Sequence, residues 1–129
     1  MSDFVSSNRS AIEGLRVVLA DDSEYLLEMW VRWLDRFCPV GLVGTATSMG
    51  MVEGLVAQYE VDLLIVDGSL FYDHTEALAA SRRRRPKMRV AVVSGVIDGA
   101  EVLGSGADFC ASKLEGPKVL FSIVEQVLR

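Results

Sequence analysis

Short, almost unbroken apolar runs punctuate this chain, and each ends on a polar residue able to do chemistry. Val17 to Ala20 is followed by Asp21 and Asp22, Leu63 to Val66 by Asp67, and Val90 to Val93 by Ser94. A weaker run from Ala107 to Ser112 closes the series, and Lys113 follows it. Continuous apolar runs mark strands covered on both faces, as in a parallel sheet, whereas a half-exposed strand alternates apolar with polar. Stretches of helical spacing separate the runs. Glu24 to Phe37 places Leu26, Leu27, Trp30, Val31, Leu34 and Phe37 on a 3.6-residue stripe, with Asp22 or Ser23 to cap its start and Pro39 beyond its end. Gly41 to Ala46 reads as a weaker strand, and Ser48 opens a second helix to about Tyr59, with internal Gly50 and Gly54. A third helix is expected from Asp73 to about Arg85, stopped by Pro86, and a short fourth from Ile97 to Leu103 between Gly95 and Gly104. The last begins at Pro117 and carries Leu120, Ile123, Val124, Val127 and Leu128.

Five strands alternating with five helices predict an α/β fold: a doubly wound five-stranded parallel sheet with helices on both faces. The 129 residues are one domain's worth, with residues 1–14 expected as a flexible leader and residues 15–129 as the domain. A net charge of −5 argues against nucleic-acid binding by charge alone, and no apolar run is long enough for a membrane span. The first residues hold Ser6, Ser7, Asn8, Arg9 and Ser10 with no apolar core, so they do not read as a secretory signal. Cys38 and Cys110 lack metal or redox spacing and fit buried thiols in a reducing cytoplasm.

In an open parallel sheet, ligands bind beyond the carboxyl ends of the strands. Three carboxylates, a hydroxyl and an ammonium would therefore converge there, a set suited to holding a divalent cation beside a carboxylate and handling a phosphoryl group. Each residue also has a plainer reading. Asp21 and Asp22 would cap the first helix, Asp67 and Ser94 would be turn residues, and Lys113 would be a solvated lysine. Arg82 to Arg85 with Lys87 read first as a solvated helix end complementing the dipole, and second as a docking patch for an acidic partner. His74 reads as an exposed loop residue; Trp30 and Trp33 read first as core or helix-packing residues and second as a docking surface on the first helix.

These residues in this order resemble the receiver domain of two-component response regulators, over Leu15 to Arg129. The family pattern is a pair of acids after the first strand, an acceptor Asp after the third, Ser or Thr after the fourth and Lys after the fifth. Here these are Asp21-Asp22, Asp67, Ser94 and Lys113, with Gly106-Ala107-Asp108 leading into the last strand. The resemblance implies the flavodoxin-like strand order 2-1-3-4-5. It further implies Mg²⁺ held directly by Asp22 and Asp67, by Asp21 through water, and by the backbone carbonyl of Ser69. Asp67 would be the phosphorylated nucleophile, taking its phosphoryl group from a sensor histidine kinase or phosphotransfer protein. Lys113 and Ser94 would hold phosphoryl oxygens. Such a chain catalyses its own phosphorylation and dephosphorylation but acts mainly as a cytoplasmic signalling switch, here expected as a single-domain regulator and a possible homodimer. A phosphorylation-independent receiver-like interaction module is the alternative. A phosphatase of the haloacid dehalogenase type would need a second Asp where Ser69 stands.

The chain departs from the family pattern at four places. After Asp67 the usual Pro and Gly are Phe71 and Thr75, and Phe71-Tyr72 is expected as an exposed aromatic pair. The switch aromatic of the fifth strand aligns with Cys110, while Phe109 should face the other way. Leu114 replaces the Pro that normally follows the Lys in a cis bond, so a trans bond is expected at Lys113. The stretch from Ser94 to Lys113 is about one helical turn short.

Overall fold

The computed structural model describes residues 10–95 and 106–129. Five parallel strands form one sheet: β1 (Arg16–Ala20), β2 (Gly41–Ala46), β3 (Leu63–Asp67), β4 (Arg89–Ser94) and β5 (Phe109–Ser112), in the order β2-β1-β3-β4-β5. The helices are α1 (Glu24–Phe37), α2 (Met49–Gln58), α3 (Gly68–Asp73), α4 (Thr75–Arg84) and α5 (Lys118–Leu128), and a 3₁₀ turn covers Lys113–Glu115. The doubly wound sheet and its order match the expectation. Residues 10–14 are also helical, and Ile12 packs into the core. The expected fourth helix, Ile97 to Leu103, lies outside the described residues.

The apolar runs divide between two cores with a period of two, as strand geometry demands. Val18, Ala20, Leu64, Val66, Val90 and Val92 face Val52 and Val56 of α2 and Leu78 of α4. Val17, Leu19, Leu63, Ile65, Ala91 and Val93 face Leu27, Trp30 and Leu34 of α1 and Leu120, Ile123 and Val124 of α5. Every residue of β3 is buried, as befits the central strand. Cys110 packs against the first core and Phe109 against the second, so the two do face opposite ways.

Serines start two of the long helices. Ser23 accepts the Leu26 N–H to cap α1, and Ser48 accepts the Met51 N–H to cap α2. Buried Met49, Val52 and Val56 anchor α2 despite its two glycines.

Two expectations are corrected. The segment after Asp67 is the helix α3, not a loop, and Asp67 caps it by accepting the Ser69 N–H. Phe71 is fully buried in the first core, while Tyr72 is 39% exposed and meets it edge-on, so there is no exposed aromatic pair. A buried Phe stabilises by roughly 1.5–3 kcal/mol through its removal from water, and this outweighs the weak helical signal of six residues. The arginine run is likewise only partly solvated: Arg82 Nη2 lies 3.3 Å from Asp108 Oδ2, and Arg85 Nε donates to the Val56 carbonyl at 3.1 Å. No cis peptide bond occurs among the described residues, so Lys113–Leu114 is trans.

Candidate functional site

The strand order puts the carboxyl ends of β1 and β3 side by side, with Ala20 paired to Val66, so Asp21 and Asp67 leave the sheet as neighbours. Asp21, Asp22 and Asp67 each offer a carboxylate oxygen, and these oxygens lie within 4.8 Å of one another. Asp21 is fully buried, Asp67 is 6% exposed and Asp22 is exposed. Ser23 caps α1, so neither aspartate of the pair is needed for that task. Asp21 Oδ1 instead accepts the Ser23 N–H at 2.9 Å, which braces the turn into α1.

Lys113 reaches this cluster from the end of β5. Its Nζ lies 2.5 Å from Asp67 Oδ1 and 2.9 Å from Asp21 Oδ2. The ammonium also sits over the indole of Trp30, 5.8 Å from the ring centroid. The other Asp67 oxygen, Oδ2, accepts the Ser69 N–H at 3.1 Å and the Ser69 hydroxyl in a short hydrogen bond. Asp67 therefore has both oxygens engaged, one by a cation and one by a helix start. Sequence reasoning gave no role to the Ser69 side chain. The available signal was a hydroxyl two residues after an Asp, where side chains close local hydrogen bonds at helix starts. The Ser69 carbonyl, implied as a metal ligand, belongs to the first turn of α3, where carbonyls point along the helix toward its C-terminus.

Ser94 ends β4 beside Ser112 of β5. A Cβ placed on Gly68 would lie 2.6 Å from Ser94 Oγ and 2.7 Å from its Cβ. Glycine after Asp67 thus lets the Ser94 hydroxyl approach the start of α3 closely. The five residues singled out in the sequence, Asp21, Asp22, Asp67, Ser94 and Lys113, all gather at this end of the sheet.

The carboxylates differ electrically. Burial pushes the Asp21 carboxyl above its usual range; the Ser23 N–H and Lys113 oppose this only in part, and the negative charge of Asp67 adds to it. Burial acts the same way on Asp67, but there the Lys113 ammonium and the two Ser69 donations win and hold it below the usual range. Burial alone would lower the Lys113 ammonium, yet its two carboxylate partners raise it. At neutral pH the cluster therefore presents an ionised Asp67 beside a fixed positive charge. Its donors are hard carboxylate oxygens close enough to share one small cation, the set Mg²⁺ prefers, with the exposed Asp22 on the solvent side. Such an arrangement has the means to neutralise an oxyanion beside an ionised carboxylate.

No protein-family model and no curated protein matches the sequence. Solved structures do match its fold. A chain of the complex between the P1 domain of CheA3 and CheY6 from R. sphaeroides superposes with a TM-score of 0.76 at 18% identity, covering 90% of this chain and 98% of that one. The response regulator domain of Thermotoga maritima CheB gives 0.73 at 21% identity, covering 88% and 96%. A CheY-like response regulator receiver domain protein from Methanospirillum hungatei gives 0.71 at 24% identity, covering 88% and 94%. The fold of this chain is that of CheY-like response regulator receiver domains.

Proposed function

We propose that the chain is the receiver of a two-component response regulator, accepting a phosphoryl group on Asp67 and signalling through a conformational change. The observation that carries this reading is the ionised Asp67 with Lys113 Nζ 2.5 Å from its Oδ1, inside a cluster of three carboxylates. The donor would be the phosphohistidine of a sensor histidine kinase or phosphotransfer protein. In favour of a protein donor, the R. sphaeroides structure of the same fold is a complex with the P1 domain of CheA3.

An Asp67 carboxylate oxygen would attack phosphorus, forming the acyl phosphate P–O bond. The P–N bond to the imidazole breaks, and its electron pair stays on the ring nitrogen. Charge spreads over the equatorial oxygens as this happens, so positioning and neutralisation do most of the work. Lys113 is a compact point charge suited to one of those oxygens, and Ser94 would donate its hydroxyl to another. Asp21, Asp22 and Asp67 would hold Mg²⁺, whose charge when bound offsets both the crowded carboxylates and the phosphoryl oxygens. Ser69 would act through its N–H and hydroxyl, holding the carboxylate in place; use of its carbonyl as a metal ligand would require the first turn of α3 to open. Water attack on the acyl phosphate later restores Asp67.

The test is incubation with acetyl phosphate, with and without Mg²⁺, followed by intact mass and solution size. Mg²⁺-dependent gain of one phosphoryl group, absent from Asp67→Asn, is the expected result. A change in size on modification would reveal dimerisation. The second reading, an interaction module independent of phosphorylation, draws on α3 and on Cys110 at the usual switch position. It predicts an unmodified chain in the same assay.

A further inference from the structure

We infer that Trp30 is a positioning residue that fixes the Lys113 ammonium beside Asp67, an inference that rests on the reading of Asp67 as the phosphoryl acceptor. An ammonium has three N–H groups. On Lys113 two of them are directed to carboxylates, Asp67 Oδ1 at 2.5 Å and Asp21 Oδ2 at 2.9 Å. The Trp30 indole lies under the same nitrogen, 5.8 Å from ring centroid to Nζ. Trp is the strongest cation–π partner among the aromatic residues.

The placement is rigid on the Trp side. Trp30 is 6% exposed and sits in the core between α1 and the sheet, among Leu27, Leu34 and the α5 residues. Its ring cannot follow a moving lysine. The lysine stem, in contrast, is long and flexible, and the side chain is 22% exposed. Two carboxylates alone make a soft restraint, because the ammonium can slide between them and toward water. The indole closes that freedom from a third direction. The restraint matters most when Asp67 becomes an acyl phosphate. That reaction moves the negative charge from the Asp67 carboxylate out to the phosphoryl oxygens, so the ammonium must shift toward them while Asp21 and the indole keep their places. An aromatic face carries no proton to lose and no charge to neutralise, so it keeps hold of the lysine through the transfer. Trp30 touches none of the reacting atoms; it acts through Lys113.

The experiment has two arms. The first is proton–carbon NMR of the lysine side chains in the unmodified wild-type protein, with Lys113→Arg to assign the Lys113 signal. An ε-methylene signal of Lys113 shifted upfield by the indole ring current is expected, and Trp30→Leu should return it to the position of an ordinary lysine. The second arm is the rate of Asp67 phosphorylation by acetyl phosphate with Mg²⁺. Trp30→Leu should slow it about five- to tenfold, and Trp30→Phe, which keeps an aromatic face, should recover most of the loss. Urea unfolding of each variant confirms that the folded protein is compared.

A Lys113 signal at the ordinary position in wild type overturns the inference whether or not any variant folds. So does a Trp30→Leu rate equal to that of wild type, or a Trp30→Phe rate as low as that of Trp30→Leu. If wild type shows the shifted signal but takes no phosphoryl group, the acceptor reading fails and the role of Trp30 in the reaction fails with it, while the contact itself stands.

Discussion

Lys113 pairs with two buried carboxylates, and its removal should cost stability in a way that pH and Mg²⁺ reverse. In Lys113→Met the stem is kept and the charge is lost, so Asp21 and Asp67 are left facing each other with carboxylate oxygens within 4.8 Å. Breaking a buried ion pair by removing one partner costs about 3–5 kcal/mol. The Lys113 side chain is 22% exposed, which favours the lower end, about 3 kcal/mol. At roughly 2 cal/mol/K of unfolding entropy per residue, that is a fall of about 11 °C in Tm. The contribution of Asp67 to the pH dependence should invert as well. In wild type Asp67 is held below its usual range, so its stabilisation is complete above the unfolded pKa near 4 and is lost as the pH falls through the folded value. In the variant no cation offsets the burial, and the carboxylates shift upward. A raised carboxyl gives stability as it protonates; in wild type Asp21 alone does so, while in the variant Asp67 joins it, so the variant should gain more stability than wild type between about pH 7 and pH 5. Millimolar Mg²⁺ should restore the variant more than it stabilises wild type, because it replaces the missing positive charge. The assay is urea unfolding followed by circular dichroism, with EDTA or Mg²⁺, at the two pH values. A variant as stable as wild type without metal would refute the buried pairing. A loss that neither acid nor Mg²⁺ reduces would show that packing, not charge, was removed.

Other consequences follow from the same geometry. Gly68→Ala would push a methyl group to 2.6 Å from Ser94 Oγ and should destabilise by about 1–3 kcal/mol; combined with Ser94→Gly in a double-mutant cycle, much of that loss should vanish. Phe71→Ala should cost about 3–5 kcal/mol in urea unfolding, while Tyr72→Ala should cost far less, because Phe71 is fully buried and Tyr72 is 39% exposed. The Cys38 thiol is buried and pushed up to about 11 from 9, so its stabilisation is complete below the unfolded pKa and is lost as the pH rises through the folded value. Native Cys38 should therefore resist Ellman's reagent near pH 8, where the partly exposed Cys110 reacts first.

The sheet was legible in the sequence because its strands are covered on both faces. Runs such as Leu63 to Val66 have no polar position to confuse with a helix stripe, and the chemical residues stand directly after them. The convergence of Asp21, Asp67 and Lys113 followed from strand order, once the resemblance supplied that order. What was not legible depends on short or distant relations. Six residues of α3 make too few turns for a period to show, and the helix exists because Asp67 caps it and Leu70 and Phe71 are buried. The Ser69 hydroxyl matters through a contact only two residues back, to Asp67, that appears only once the segment is helical. Trp30 reads as a packing residue and is buried in the core, but the cation over its ring lies at the other end of the domain's sequence. Arg82 and Arg85 read as a charge run, yet their partners Asp108 and Val56 belong to elements that only the folded chain brings near.

The proposed function turns on whether Asp67 carries the phosphoryl group. Reduction with borohydride traps an aspartyl phosphate as homoserine, so peptide mapping after treatment with acetyl phosphate and Mg²⁺ reads the site directly. Homoserine is expected at position 67 in wild type, and none there when Mg²⁺ is withheld. Modification at another carboxylate, or no modification at all in the folded, Mg²⁺-loaded protein, would contradict it.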